Sequence, residues 1–205
     1  MQSLASGVRF VFSNQVILGA LSLDMFAVLF GGATALLPIF AGDILKSGPQ
    51  SLGLLRAAPA VGALLMSFVM IHKPLGRAAG ALLLWVVTGF GFCMIGFGLS
   101  KVLWISVVLL GLSGAFDAVS MVIRHTILQL STPDEMRGRV SAVNMIFIGS
   151  SNEIGGFESG VAARLMGTVR SVVFGGCMTL LVVAGAGVLA PKLRKIELDQ
   201  PVQKK

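Results

Sequence analysis

Six apolar stretches occupy most of this 205-residue chain, and charge is distributed among them unevenly. Charged side chains fall in the first, second, fourth and fifth, whereas the third and sixth, Ala78–Gly98 and Val172–Leu189, have none. A helix needs roughly 20 mainly apolar residues to cross a bilayer, and these two runs qualify on length and composition alone. With 55% hydrophobic and 12% charged residues and a mean hydropathy of +0.90, the chain has too little polar surface to coat a soluble globule. It is predicted to be an all-α membrane protein with six transmembrane helices, over residues 16–40, 51–71, 78–98, 102–124, 138–163 and 171–190. The four charge-bearing spans are expected to line a polar interior, and the other two to face lipid.

Residues 1–15 read as a short amphipathic lead-in on the cytoplasmic side, 16–190 as the bundle, and 191–205 as a basic cytoplasmic tail. Arg9, Arg137, Arg139, Lys192, Arg194 and Lys195 all fall on the side that the positive-inside rule assigns to the cytoplasm, which puts both termini there. The net charge of +7 is spread over loop ends and the tail, so topology and anionic lipid headgroups explain it better than nucleic acid does. Cys93 and Cys177 lie inside spans and read as small apolar residues; there is no disulfide, CxxC or metal-ligand spacing, and no cofactor motif.

Each charged span carries its own candidates. Asp24 in span one is read either as a proton or substrate contact or as half of a structural hydrogen bond or salt bridge, since an acid inside a membrane is costly. Arg56 in span two can snorkel, pair with a carboxylate or hold an anionic substrate, and Pro59 is expected to bend that helix. Span four places Ser113, Asp117, Ser120 and Arg124 on one stripe. Asp117 and Arg124 sit about two turns apart, too far to pair directly, so each needs a partner from another helix or from water. Asp117 is the leading candidate for a titrating group, and Arg124 reads as an interface anchor or interhelical clamp. Span five is the most polar: Asn144 and Glu158 share its stripe with Ser141, Ser151 and Gly155, and Glu153 points about 140° away from Glu158. Glu153 is a plausible proton site near mid-membrane, whereas Glu158 can simply be hydrated.

The segment before span five has a helix-start grammar: Thr132 as N-cap, Pro133 at the first helical position and Glu135 closing a capping box. Arg137 and Arg139 then fall in the first turns, where positive charge opposes the helix dipole, so acidic partners or phosphates are expected near them. Gly111-Leu112-Ser113-Gly114 resembles the nucleophile motif of rhomboid intramembrane proteases, but span six offers no His as base, and His72 and His125 sit at cytoplasmic edges. An ATP-driven exporter subunit is set aside because the loops are short and no phosphate-binding Gly-rich loop is present.

Leu23-Asp24 with Ala35-Leu36-Leu37-Pro38, Gly53-Leu54-Leu55-Arg56-Ala57-Ala58-Pro59, and Ile123-Arg124-His125-Thr126 continuing to Thr132-Pro133-Asp134-Glu135-Met136-Arg137-Gly138-Arg139-Val140 are the most telling stretches. Through them the chain resembles the C-terminal six-helix half of a major facilitator superfamily transporter, in the subgroup of bacterial exporters that includes enterobactin and macrolide efflux proteins. The resemblance implies that helices one, two, four and five of the half surround a central cavity, with three and six supporting them from outside. It also implies alternating access between two pseudosymmetric halves. Gly76-Arg77 resembles the remnant of the basic loop motif that follows the second helix of a half, without its acidic member.

The expected function is that of a secondary transporter in a bacterial inner membrane: a permease of antiporter type, driven by protons and effluxing a siderophore- or drug-like small molecule. The expected partners are the lipid bilayer, that substrate, and a missing N-terminal six-helix half or a second copy of the chain, with no nucleic acid. No enzymatic activity is expected. The alternative is a truncated, non-transporting membrane protein, or a half-transporter that needs a separately encoded N-terminal half.

Overall fold

The computed structural model describes residues 2–31, 33–72 and 78–189. The basic tail 191–205 and the Gly76-Arg77 loop motif lie outside the described residues. All regular structure among those residues is helical. A short first helix, α1 (Gln2–Ser13), precedes α2 (Gln15–Gly31), and Asn14 between them accepts hydrogen bonds through Oδ1 from the amides of Val16 (3.1 Å) and Ile17 (3.3 Å). That arrangement caps α2 and allows the chain to turn between the two helices.

The first span, expected as one helix over 16–40, continues beyond α2 through tighter and wider turns: Ala33–Leu36, Leu37–Ile39 and Phe40–Ile44. Pro38 accounts for part of this, because it has no amide hydrogen for the carbonyl one turn back. The wide turn closes with the Leu45 amide on the Phe40 carbonyl at 2.8 Å. Next come α3 (Gly48–His72), which passes through Pro59 unbroken, α4 (Ala79–Leu99) and α5 (Leu103–Leu130). The expected end of α5 at residue 124 falls six residues short. Nothing between Arg124 and Leu130 breaks a helix, and Pro133 is what bars the residue before it from continuing.

Helix α6 (Arg137–Met166) and helix α7 (Thr168–Leu189) are joined by Gly167 alone, whose φ of 88° reverses the chain. The outer loop expected at 164–170 is accordingly helical apart from that glycine. The capping box expected at Thr132–Glu135 does not form. Residues Asp134–Met136 make a separate short turn without a side-chain cap, and the Thr132 hydroxyl is buried with no hydrogen-bond partner. Arg137 instead pairs with Asp134 at 2.9 Å, and Arg139 donates to Ser6 Oγ at 3.2 Å, tying α1 to the start of α6.

Five helical stretches, Gln15–Ile44, Gly48–His72, Ala79–Leu99, Leu103–Leu130 and Thr168–Val188, are long and apolar enough to cross a membrane. Helix α6 is long enough, but it carries Asn144, Asn152, Glu153 and Glu158 among serines and glycines and falls short on apolarity.

The packing centres on α2, α4 and α5. Leu23 and Ala27 meet Leu83, Val86 and Val87 of α4 and Ile123 and Ile127 of α5, and a second cluster joins Leu37 and Phe40 to Leu55, Phe97 and Leu110. Helix α4, charge-free and expected outside, is held between α5 and α7 with Leu83 and Phe97 fully buried; α3, which carries Arg56, exposes most of its length. The α3–α5 seam is set by glycines. A Cβ on Gly62 would collide with the Gly111 carbonyl, and one on Gly114 with the Pro59 carbonyl. Small residues let helix backbones approach where no hydrophobic force between helices operates in lipid.

Gly114→Ala is expected to destabilise the purified protein by about 1–3 kcal/mol, the usual cost of overpacking, because a backbone carbonyl has to move. Gly53→Ala, whose Cβ meets nothing within 4 Å, is expected to be neutral or slightly stabilising. Thermal unfolding of both variants in the same detergent checks the contrast.

Candidate functional site

Helix α5 turns one polar stripe towards α2. Ser113, Ser120 and Arg124 are buried and Asp117 is half-buried, as the helical spacing of these four residues requires. Across from them, Asp24 is buried on α2 in a setting of Ala20, Leu23 and Ala27. The Arg124 guanidinium forms an ion pair with Asp24, and its Nε–H donates to Ser120 Oγ at 3.3 Å. Arg124 is 6% exposed and Asp24 7%, so water reaches neither freely. Of the two readings open for Arg124, anchor or clamp, the geometry is that of a clamp between α2 and α5.

Two cavities meet at Asp117. The smaller, about 20 Å³, is lined by Asp24, Asp117 and Ser120 together with Val86, Val87, Phe90 and Phe116. That is room for about one water molecule, and the polar partners one would need are present. The larger, about 210 Å³, runs from Asp117 past Ser113 and Gly114 to Thr34 and Asn152, with Val28, Leu37, Phe90, Met94 and Leu110 as apolar walls. Asp117 and Phe90 therefore stand between a buried ion pair and a roomier polar-apolar chamber.

The remaining candidates are not gathered here. Arg56 is exposed on α3 and makes no ion pair among the described residues, so the pairing expected for it is not found. On α6, Asn144 is buried, Glu158 half-buried and Glu153 exposed; none of the three lines either cavity. Several cavity residues escaped the sequence reading, Thr34, Phe90, Met94 and Asn152 among them. Phe90 and Met94 sit on the charge-free α4, and Asn152 lies beside the more conspicuous Glu153. A polar residue next to an acid in an apolar run was the one available signal for Asn152. Phe90 and Met94 had none.

Among the described residues, no group of His, Cys, Asp or Glu is placed to hold a metal ion. The Ser113 hydroxyl donates to the Leu110 carbonyl at 2.7 Å, and the glycines flanking that residue serve the α3–α5 seam rather than a nucleophile.

A family model described as transmembrane secretion effector matches residues 1–205, the whole chain. The enterobactin exporter EntS of Citrobacter koseri is 30% identical over 203 residues, which is 98% of this chain and 48% of that protein. The enterobactin exporters of Escherichia coli O139:H28 and Escherichia fergusonii are each 27% identical over 202 residues, with the same coverage. The chain thus spans about half the length of these curated relatives. No solved structure matches it.

Removing one partner of a buried ion pair strands the other charge, a loss of roughly 3–5 kcal/mol. Asp24→Leu and Arg124→Leu are each expected to destabilise the protein on that scale, and the Asp24→Leu/Arg124→Leu double variant is expected to recover most of the loss. A double-mutant cycle measured by denaturant unfolding tests this; additive losses would show that the two side chains do not depend on one another.

Proposed function

We propose, because the chain belongs to the transmembrane secretion effector family of the major facilitator superfamily, that it forms one wall of a proton-coupled export pathway for a siderophore- or drug-like small molecule. The family is one of membrane transporters, and the setting is a multi-pass protein of a bacterial inner membrane, in contact with lipid and a small-molecule substrate. The relatives named as enterobactin exporters supply the siderophore part of the reading.

The observation that carries the proposal is the buried Asp24–Arg124 pair with Asp117 beside it. Protonation of Asp24 cancels the pair and leaves the Arg124 charge in apolar surroundings. An arrangement that hydrates or re-pairs Arg124 is then favoured. A proton taken up on one side and released on the other thereby shifts the balance between inward- and outward-open states, and a substrate that prefers one of them is driven uphill. Asp117 is the intermediate carboxylate between the pair and the larger cavity, and Glu153 on α6 is a third group on which a proton can ride. The reading includes no chemical step on the substrate and no cofactor.

In this reading α6 is the fifth of six spans despite its polarity, because Asn144, Asn152, Glu153 and Glu158 suit bilayer depth where they border water or protein instead of lipid. Residues 16–190 make the bundle, and the lead-in 1–15 and the basic tail 191–205 lie on the cytoplasmic side. A facing six-helix unit, the N-terminal half of a transporter or a second copy of this chain, closes the pathway. Arg56, exposed on α3, is a candidate contact for that unit.

Two outcomes are expected. In proteoliposomes holding this chain with a facing half, an imposed proton gradient drives enterobactin uphill, and combined Asp24→Asn, Asp117→Asn and Glu153→Gln substitutions reduce uphill flux while downhill leakage persists. Uphill flux that survives all three removes this coupling mechanism. Separately, reporter fusions at either terminus are expected to be fluorescent as a cytoplasmic protein and inactive as a periplasmic phosphatase; the reverse pattern inverts the topology.

A further inference from the structure

The larger cavity has a more specific chemistry than a generic pathway requires. Its volume of about 210 Å³ exceeds that of an engineered cavity of about 150 Å³ that takes up benzene, and it lies below the roughly 300 Å³ at which drug-sized pockets begin. One ring with a short substituent fits within these walls; a larger molecule would extend out of the open side. Phe90 and Met94 on one side, with Leu37 and Leu110, offer the aromatic and thioether surfaces against which a ring packs well.

The polar lining is biased towards accepting hydrogen bonds. Asp117 is the only ionisable side chain among the lining residues. Ser113 spends its hydroxyl hydrogen on the Leu110 carbonyl, which leaves lone pairs for a guest. The nearby cation, Arg124, is engaged by Asp24 and does not line the cavity, so the charge a guest meets is the Asp117 carboxylate. Thr34 and Asn152, both exposed, mark the mouth.

We propose that this cavity is a binding subsite within the six-helix unit itself for a single aromatic ring bearing a cationic amine, with the ring against Phe90 and Met94 and the ammonium donating to Asp117 and Ser113. The inference deepens the drug-like side of the export reading, on which it rests, by naming a class of group that this cavity accepts. An anionic ring is disfavoured because Asp117 faces it and no cation is among the described residues lining the cavity, and a neutral hydroxyl-bearing ring binds more weakly because it lacks the charge that strengthens a hydrogen bond to a carboxylate.

The test uses the 205-residue chain in lipid nanodiscs without a proton gradient, so a failure here is separable from a failure of proton-driven flux. Benzylamine, benzyl alcohol and benzoate are titrated at neutral pH by ligand-observed NMR. Benzylamine is expected to bind about tenfold more tightly than benzyl alcohol, the scale of one charge-assisted hydrogen bond, and benzoate not detectably. Asp117→Asn is expected to erase the preference for the amine while keeping the alcohol. Thr34→Trp, which fills the cavity from an exposed position, is expected to weaken both. The proposal is overturned if none of the probes binds the native chain or if benzoate binds as well as benzylamine. It is equally overturned if the amine keeps its advantage in Asp117→Asn, or if Thr34→Trp leaves binding unchanged, as simple partitioning into lipid would.

Discussion

An arginine and an aspartate buried between α2 and α5 set the terms for the rest of this bundle. Asp24 and Arg124 are both buried away from bulk water, so each is tolerable chiefly because the other is there. The pair holds α2 and α5 at fixed depth relative to one another, and around it Leu23, Ala27, Val86, Val87, Ile123 and Val183 form the apolar shell. Hydrophobic packing alone discriminates poorly among helix registers inside lipid, where the surroundings are as apolar as the core. A single polar contact restricts those registers, because sliding one helix by a turn would separate the charges.

The rest of the architecture brings backbones close around that contact. Gly62 and Gly114 let α3 and α5 touch main chain to main chain, and Gly175 does the same for α7 against the Phe30 carbonyl. Thr179 adds a hydroxyl hydrogen bond to the Gly175 carbonyl at 3.0 Å within α7. Close seams on the outside leave the open volume inside, where Gly31, Pro59 and Gly114 contribute little bulk to the cavity wall. The cavity beside Asp117 is thus a consequence of where small residues fall along three helices.

Much of this was legible in the chain as written. The helical class, the apolar spans and the stripe of Ser113, Asp117, Ser120 and Arg124 follow from length and from a period of 3.6 residues, both of which are local properties. Arg124 was read as needing a partner from elsewhere, and it has one. Other readings failed for equally local reasons. The capping box at Thr132 matched a pattern, but Pro133 takes an extended ψ of 147° and so precedes the short turn Asp134–Met136 instead of opening a helix, and the long helix starts later at Arg137. The absence of charge in α4 suggested a lipid-facing helix, and Trp85 and Phe92 on it are exposed, but its other side packs on α5 and α7 and gives Phe90 and Met94 to the cavity. Absence of charge is compatible with one side facing lipid; it does not say what the other side packs against.

By itself, the sequence determined that this chain is helical and membrane-embedded, and which faces carry the polar groups, because hydrophobic length and helical periodicity are written residue by residue. Only the tertiary structure decided that Asp24, a hundred residues from Arg124, is its partner, that Asp117 stands between two cavities, and that Arg56 pairs with nothing described. Those facts depend on how helices cross, and crossing is settled jointly by glycine seams and a buried ion pair contributed by different spans. No single stretch of the chain contains that information.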